Sequence, residues 1–472
     1  MSVIKGKRKK NTLFLGTATY AIGNFGTKIL NFLIVPLYTY YIQPADLGDY
    51  DLMLTTVSLL SPLLTMKISD AAYRWIIKDQ KNEVPYISAT YQLLLRNCIP
   101  CALTLLLINQ RVPVWQCNYF IAILIGDRIL ECLQKLLRGL KNQILFVVSG
   151  LFHTGVLVSA NVIKICIRKE GVTALLQSSV VSLYATIVLI LLFEKRLRVV
   201  EMRVDHSAQQ KEMLCYSIPL VPSALSWWVM SASDRYVIRW IIGNAANGIY
   251  SVAYKFPSIM QTIFQMFNNA WTDMVLAELD CGEQAEEYAQ TVFRQLYKVS
   301  FGLVLVMIPL TKFVMNVILS ATYREASIYI GFLYLGTIFQ GFSSFSSIGY
   351  LQGKKTGGAA KTSVYGAVVN FLVNVLLIHL VGLFAAAFST FAGYLVMWAT
   401  RMRDIRKVFP IRVRMSAFIP YLLSGIAMSL IVIWTSPVMD LGLSCGMGLF
   451  FLADNQNVLK GVLKLVEKRI KR

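Results

Sequence analysis

The chain has 472 residues, of which 56% are hydrophobic and 15% charged, and its mean hydropathy is +0.57. This composition excludes an ordinary soluble domain, in which charged residues are considerably more frequent. The formal charge of +21 could indicate nucleic-acid binding, but no long polar basic domain carries it, so no nucleic-acid partner is expected.

Apolar stretches long enough to cross a bilayer recur along nearly the whole chain. A membrane helix needs about 20 consecutive apolar residues, and about 14 such stretches are present. They are too long and too continuously apolar for outer-membrane strands, which alternate with a period of two. The sequence therefore predicts an all-α polytopic membrane protein with about 14 transmembrane helices. In chain order the predicted spans are 13–41, 48–69, 86–108, 114–134, 144–166, 172–193, 214–242, 249–275, 299–319, 326–349, 363–381, 383–400, 416–435 and 438–453.

The placement of Lys and Arg predicts the orientation. The first span follows a basic start, but its apolar stretch is longer than the 7–15 residues typical of a signal peptide, so it is interpreted as a retained span. If the N-terminus is cytoplasmic, most cations outside the spans lie on the cytoplasmic side, as the positive-inside rule expects. Both termini are therefore predicted to be cytoplasmic. The outer connections contain only Arg111, Arg168, Lys169 and Arg324.

Two sequence echoes predict an internal duplication. The turn Ile42–Tyr50 shares Ile, Ala, Gly and Tyr with Ile242–Tyr250 at the same spacing. The spacing of Gly171, Ala174 and Ser178 recurs in a second set, formed by Gly382, Ala385 and Ser389. Each pair falls at the same place in a count of six helices, which predicts two six-helix lobes related by a pseudo-two-fold axis along the membrane normal, plus two extra helices. The predicted domains are an N-lobe at 1–193, a basic cytoplasmic linker at 194–213, a C-lobe at 214–400, and helices 13–14 with a basic tail at 401–472.

Charged residues at bilayer depth usually face a cavity and mark a working pathway, because each costs about 2.5–3.5 kcal/mol to insert. Some cations, including Lys312, lie near predicted span ends, where a long side chain can reach the interface. Five others lie deeper and are the predicted substrate-binding residues, since Lys and Arg give charge-assisted hydrogen bonds to phosphate. They are Lys28, Arg96, Arg128, Arg235 and Lys255.

Acidic residues in the same spans are candidates for ion coupling. Asp127 and Glu131 flank Arg128 on one helix, and Asp234 precedes Arg235. These acids could bind a coupling ion or only neutralise the neighbouring cations, and both interpretations stay open. Asn370 and Asn374 share one face of the eleventh span, where they could bind sugars or hold helices together.

The chain shows no pattern typical of catalysis, of a metal site or of an organic cofactor. The turn from Gly349 to Lys355 departs from a phosphate-binding loop in its glycine spacing and in the residue after the lysine. Cys98 and Cys101 have redox spacing but lie inside a predicted span, and the eight cysteines are otherwise scattered. No catalytic residue, metal or cofactor is therefore expected, and the protein is predicted not to be an enzyme.

The chain resembles the polysaccharide flippases, the Wzx-type lipid-linked oligosaccharide transporters of the multidrug/oligosaccharidyl-lipid/polysaccharide exporter superfamily. The resemblance covers nearly the whole chain and depends on the order and spacing of short motifs. These are Tyr20–Gly26, Ala45–Tyr50, its echo Asn247–Tyr254, and the turn Gln352–Lys355 leading to Asn370 and Asn374.

The resemblance implies movement of an undecaprenyl-pyrophosphate-linked repeat unit across the bacterial cytoplasmic membrane by ion-coupled alternating access, for capsule, O-antigen or other surface polysaccharide synthesis. The implied partners are the lipid-linked oligosaccharide, membrane lipids, and a polysaccharide polymerase with other assembly proteins. A multidrug exporter of the same superfamily is one alternative, although Lys28 stands in the first span, where drug-exporting relatives commonly carry an acid. A membrane polysaccharide polymerase or ligase is another, but no large outer loop is present for catalytic groups.

Overall fold

The computed structural model describes residues 26–78, 82–111, 116–278, 283–352, 356–407 and 413–456. Within these ranges the regular secondary structure is helical and no strand occurs. The beginning of the first predicted span and the basic tail from residue 457 lie outside the described residues.

The described residues divide into two compact units, with the boundary between Trp228 and Val229. Unit 1 ends within a helix, α9, which continues into unit 2. The predicted domain limits at 193, 213 and 400 remain predictions. The helices of unit 1, after a helical segment at 26–33, are α1 (Val35–Tyr41), α2 (Pro44–Thr65), α3 (Ile68–Lys78), α4 (Glu83–Arg111), α5 (Cys117–Gly139), α6 (Gln143–Val162), α7 (Val172–Phe193) and α8 (Ser207–Ser217).

Unit 2 contains the rest of α9 and a further series of long helices. Here α14 and α15 pack as an antiparallel pair, α12 packs against α15, and α11 contacts the last two helices. The helices are α9 (Val221–Ile241), α10 (Asn244–Glu278), α11 (Glu283–Ile318), α12 (Ile330–Ser346), α13 (Ile348–Gln352), α14 (Thr356–Val381), α15 (Leu383–Asp404), α16 (Met415–Trp434) and α17 (Pro437–Asp454).

The predicted spans from the second to the fourteenth each coincide with a helix or a bent helix pair. In the described part of the chain, 9 helices are long and apolar enough to cross a membrane, or up to 11 if each bent pair counts as one span. Two further predicted spans correspond to α5, which carries a cluster of charges, and to α10, which has polar residues along its length. The chain is therefore an all-α, multi-pass membrane protein, as its sequence predicts.

Local sequence explains several helix ends. Pro44 and Pro437 stand at the first turns of α2 and α17, where the missing N–H of proline costs no hydrogen bond. The side chain of Asn142 accepts a hydrogen bond from the Leu145 amide at 3.1 Å and caps α6, because the first amides of a helix lack partners within it.

The predicted span 48–69 is broken near its C-terminal end. The axes of α2 and α3 differ by 58°, and the break falls at Met66 and Lys67, whose φ values are 47° and 56°. Both residues are thus in the left-handed region, which is strained for residues other than glycine. Lys67 and Lys135 both pair with Asp70 beside the break, so unlike charges surround the strained residues.

A repeated hydroxyl contact supports the internal duplication. In unit 1 the Tyr50 hydroxyl lies 2.8 Å from Ser179 Oγ and joins α2 to α7. In unit 2 the Tyr250 hydroxyl lies near Thr390, but it donates its hydrogen bond to Asp234, and the Thr390 hydroxyl donates to the Ala386 carbonyl at 3.0 Å. The sequence echoes match Tyr50 with Tyr250 and Ser178 with Ser389, so Ser179 corresponds to Thr390. Hydroxyl groups at matched positions therefore lie near each other in both units, and in unit 1 a hydrogen bond joins them.

The last two helices are attached to unit 2 by a buried ion pair. Lys312 on α11 is 5% exposed, and its Nζ lies 3.4 Å from Asp440 Oδ2 on α17. The same ammonium donates hydrogen bonds to the carbonyl oxygens of Val432 and Thr435. The Lys312 ammonium is thus held by partners from the two helices that follow the six-helix repeat.

We expect Lys312→Met and Asp440→Leu each to lower the thermal midpoint of unfolding in detergent. Removing one partner leaves an unpaired buried charge, which typically costs about 3–5 kcal/mol. The double variant should recover much of the loss, since it removes both charges. A double variant whose midpoint falls by the full sum of the single changes would contradict this attachment.

Candidate functional site

Arg128 lies in a compact ion cluster of unit 1. Its side chain is 5% exposed and donates hydrogen bonds to the carboxylates of Asp127 and Glu131. Ser61 on α2 donates a further hydrogen bond of 3.0 Å to Glu131. The structure thus brings together Arg128 and both acids predicted beside it, and two carboxylates face one guanidinium. This cluster suits a cation or a proton better than it suits a phosphate.

The two acids of this cluster are more accessible than the arginine. Asp127 has 38% of its side chain exposed and Glu131 has 32%, so a small ion could reach them without displacing Arg128. The ion pairs of Lys67 and Lys135 are with Asp70. Lys67 also attracts Glu131 electrostatically, so the negative charge that Arg128 leaves unbalanced is offset by a neighbouring cation.

Lys28 and Lys255 are placed differently from Arg128. Lys28, on the helical segment at 26–33, is exposed, and so is Lys255 on α10. Neither side chain is covered by the helices of its own unit. These two predicted substrate residues therefore have the accessibility that binding a large ligand requires.

Arg96 lies on α4 beside the linker that follows α7. The first turns of α4 are covered by this linker, since Gln92 donates a 2.8 Å hydrogen bond to the carbonyl of Val204. Arg96 is exposed and borders a cavity shared with Lys211 of α8. The sequence does not indicate this location, because Arg96 falls near the middle of its predicted span.

Asp234 and Arg235 form a second ionic group, in unit 2. They are 1% and 8% exposed, and Arg235 Nη1 lies 3.5 Å from Asp234 Oδ1. The guanidinium also donates to the Ser231 carbonyl at 2.9 Å and lies 4.9 Å from the centre of the Tyr254 ring. The Tyr250 hydroxyl donates to Asp234 Oδ2, which links this carboxylate to the Tyr250–Thr390 contact.

Two buried asparagines lie on α14, a helix that contacts α9 at Met230. Asn370 and Asn374 on α14 are 0% exposed, and the side-chain nitrogen and oxygen of both have no hydrogen-bond partner in the described chain. Leaving a buried polar group unsatisfied costs about 1–3 kcal/mol. The alternative in which these amides hold helices together is therefore not supported by the hydrogen bonds.

The helices that carry these residues meet around two glycines. A Cβ on Gly393 would lie 2.8 Å from Asn370 Cβ, and one on Gly366 would lie 2.8 Å from Met230 Sδ. Since Asp234 is one turn from Met230 and Thr390 nearly one turn from Gly393, α9, α14 and α15 bring their polar residues to one region. We call this group the Asp234 cluster; it comprises Asp234, Tyr250, Asn370, Asn374 and Thr390.

The Asp234 cluster offers one carboxylate, two amide carbonyls and hydroxyl oxygens in a buried setting. Oxygen ligands of this kind suit small hard cations, and the carboxylate alone could take up a proton. The described residues contain no group of three or more His, Cys, Asp or Glu side chains that could hold a metal ion. Tyr250 and Thr390 were not predicted as site residues, although their place in the repeated motifs could have indicated them.

The fold is similar to those of several solved membrane proteins. The structure superposes on "Lipid II flippase MurJ, inward closed conformation" with a TM-score of 0.67 at 12% identity, covering 93% of this chain and 99% of that one. It superposes on an inward-facing multidrug resistance MATE family transporter of the MOP superfamily with 0.60 at 14%, covering 82% and 94%. For a MATE in the straight conformation the values are 0.55 and 17%, covering 83% and 95%. At such identities these likenesses show the fold alone.

Sequence comparison identifies the family to which the chain belongs. Residues 13–272 match the family described as "Polysaccharide biosynthesis protein", which is more than half of the chain, so the chain belongs to that family. No curated protein matches it in sequence. The family match and the shared fold confirm the resemblance stated from the motifs.

We expect Asn374→Leu to leave the thermal midpoint unchanged or raised in a buffer free of small metal cations, because the substitution removes an unsatisfied buried amide. Asn161 is the matched control: it is also 0% exposed, but it donates a 2.8 Å hydrogen bond to the Tyr38 hydroxyl. Asn161→Leu should lower the midpoint. Equal losses in the two variants would show that the Asn374 amide has a structural partner.

Proposed function

We propose that the protein is a flippase that moves a lipid-linked oligosaccharide repeat unit, carried on undecaprenyl pyrophosphate, from the inner to the outer leaflet of the bacterial cytoplasmic membrane. The observation that carries this proposal is the exposed lysine on a membrane helix of each unit, Lys28 and Lys255, in a chain of the polysaccharide biosynthesis protein family. Cations within membrane helices usually face a cavity or a substrate pathway.

The chemistry of the carrier matches these lysines. Pyrophosphate oxygens accept charge-assisted hydrogen bonds from ammonium groups, whereas a neutral lipid would gain nothing from them. We assign direct contact with the pyrophosphate to Lys28 and Lys255. Arg128 and Arg235 are held by or beside acids, so their role in substrate binding is to raise the local potential. In this proposal both termini are cytoplasmic, and a polymerase and other assembly proteins receive the exported unit.

Ion coupling is assigned to the Asp234 cluster. A cation bound there would find the carboxylate of Asp234 and the oxygens of the two asparagines, whose side-chain atoms lack partners in the described chain. Binding would also weaken the attraction between Asp234 and Arg235, and so would link ion occupancy to the position of a substrate-facing helix. Moving one charge through the membrane field supplies about 2.3 kcal/mol per 100 mV, enough to drive alternating access. Asp127 and Glu131 are the corresponding candidates in unit 1.

One observation favours a second candidate, a multidrug exporter. The partial exposure of the two acids of the Arg128 cluster would suit a cationic drug. The two functions differ in what accumulates when the protein is absent. Loss of a flippase leaves lipid-linked repeat units in the inner leaflet, while loss of a drug exporter changes susceptibility to cationic compounds.

The deciding experiment is deletion in the native host followed by extraction and leaflet assignment of lipid-linked glycans. Accumulation in the inner leaflet, with unchanged drug susceptibility, is the expected result. Unaltered export of every surface glycan would reject the flippase function.

Complementation tests the substrate residues. Lys28→Gln combined with Lys255→Gln should reduce export about tenfold, as expected when two charge-assisted contacts of about 1.4 kcal/mol in total are lost. Lys195→Gln, which removes an exposed lysine of the linker, is the matched control and should retain export. Normal export by the double variant would refute the assignment of these lysines while leaving the deletion result intact.

Coupling is tested by Asp234→Asn in vesicles with an imposed ion gradient. The wild-type protein should flip faster with the gradient than without it, and the variant should lose this difference. Asp127→Asn reports on the alternative site in unit 1. A gradient response that survives in Asp234→Asn but disappears in Asp127→Asn would move the coupling site to the Arg128 cluster.

A further inference from the structure

A cavity of about 520 Å³ lies in unit 1 between α4 and the linker helix α8. Its lining divides into a polar part and an apolar part. Arg96, Ser207, Gln210 and Lys211 form the polar part, and Leu214 and Ile218 contribute to the apolar part. This separation is typical of a site for an amphipathic ligand.

Hydrogen bonds hold the linker firmly on α4 at this place. The Gln210 amide donates to Gln92 Oε1 at 3.1 Å, and Gln92 donates in turn to the carbonyls of Met202 and Val204 at 3.2 and 2.8 Å. The Glu201 amide donates to Ser88 Oγ at 2.9 Å. Since several contacts position α8, the cavity beside it is a built feature of unit 1.

The start of the linker is anchored as well. Arg196 Nε donates to Glu194 Oε1 at 2.9 Å, and Asn142 donates to Glu194 Oε2 at 2.8 Å. The hydrogen bond from Arg196 holds the pKa of the Glu194 carboxyl below its usual value. This carboxylate is therefore ionised at neutral pH and keeps the linker in place.

The cavity has positive charge without a carboxylate partner. In the described residues no acid lies within ion-pair distance of Arg96 or Lys211, and two acids of the linker that are close in sequence are engaged elsewhere. Glu212 accepts a 2.7 Å hydrogen bond from Trp75 Nε1, and Asp205 accepts from the amide and hydroxyl of Ser207 at 2.9 and 3.0 Å. A guanidinium and an ammonium thus remain available for an anion.

Aromatic side chains place α8 near the membrane surface. Trp75 and Tyr216 stack edge to face with their ring centres 5.6 Å apart, and the Arg74 guanidinium lies 4.4 Å from the centre of the Tyr216 ring. Trp and Tyr concentrate at the level of lipid headgroups. The predicted cytoplasmic position of 194–213 puts this level in the inner leaflet.

We propose that this cavity binds the headgroup of an anionic phospholipid of the inner leaflet. Arg96 and Lys211 hold the phosphate, and an acyl chain runs along Leu214 and Ile218. Basic pockets beside membrane helices on the cytoplasmic side are suited to such headgroups. The bound lipid would join α4 to α8 through its phosphate and stabilise the docked linker. This site is separate from the proposed substrate lysines and does not depend on the proposed function.

Cys215 provides a probe within the chain, because it is exposed and lines the same cavity. The full-length protein is placed in nanodiscs of phosphatidylcholine alone or of equimolar phosphatidylcholine and phosphatidylglycerol, and alkylation of Cys215 by a maleimide is followed by peptide mass spectrometry. A cysteine introduced by Arg203→Cys, at an exposed linker position outside the cavity, is the control. Phosphatidylglycerol should slow alkylation of Cys215 several-fold and leave alkylation at position 203 unchanged.

Charge-removing variants assign the effect to the cavity. Each of Arg96→Gln and Lys211→Gln should weaken protection about five-fold, equivalent to about 1 kcal/mol per cation. Arg96→Lys should keep most of it. Arg203→Gln, which removes an exposed cation of the same linker outside the cavity, should behave as wild type.

Three results would overturn the proposal. Protection by phosphatidylglycerol that persists in the double Gln variant would place the lipid elsewhere. Equal alkylation in both nanodiscs would show that no anionic lipid binds. Protection by inorganic phosphate alone, in nanodiscs of phosphatidylcholine, would show a site for the free anion and not for a lipid.

Discussion

The energetic cost of charge in a hydrocarbon environment organises this protein. Each ionised side chain on a membrane helix must either find a partner or face a polar ligand or water. Arg128, Asp234 and Lys312 are buried, each in a group with partners from a neighbouring helix. Lys28 and Lys255 are exposed within their own units. In the proposed function the buried charges therefore serve structure or ion coupling, and the exposed lysines contact the substrate.

The cost of burying charge also links the proposed ion-binding step to the proposed substrate step. Asp234 is almost fully buried, and its neighbours are the Arg235 guanidinium and the Tyr250 hydroxyl. Its negative charge is therefore already nearly balanced. A small ion entering beside the unsatisfied amides of α14 would change that balance without a large rearrangement. Coupling would then be a change in the local electrostatics of α9, the helix that carries both Asp234 and Arg235.

Much of the fold could be predicted from the sequence, because the membrane imposes a long apolar run on each crossing helix. The spans predicted at 172–193 and 383–400 correspond closely to α7 and α15. The break between α2 and α3 was not predicted, since residues such as Met66 and Lys67 give no sign of a left-handed backbone. The site was less predictable. Adjacent charges such as Asp127 and Arg128 could be paired from spacing, but the partners of Lys312 lie more than 100 residues away.

The repeated hydroxyl contact has a consequence for the history of the chain. Tyr50 with Ser179 and Tyr250 with Thr390 occupy matched positions in the two halves, yet the residue that corresponds to Asp234 by the same offset as Tyr250 to Tyr50 is Ile34, which is buried at 4% exposure. The two halves thus share residues at these matched positions, while only the second half carries an acid at the position of Asp234. This combination of matched positions and one unmatched acid is what duplication followed by divergence of one half would produce.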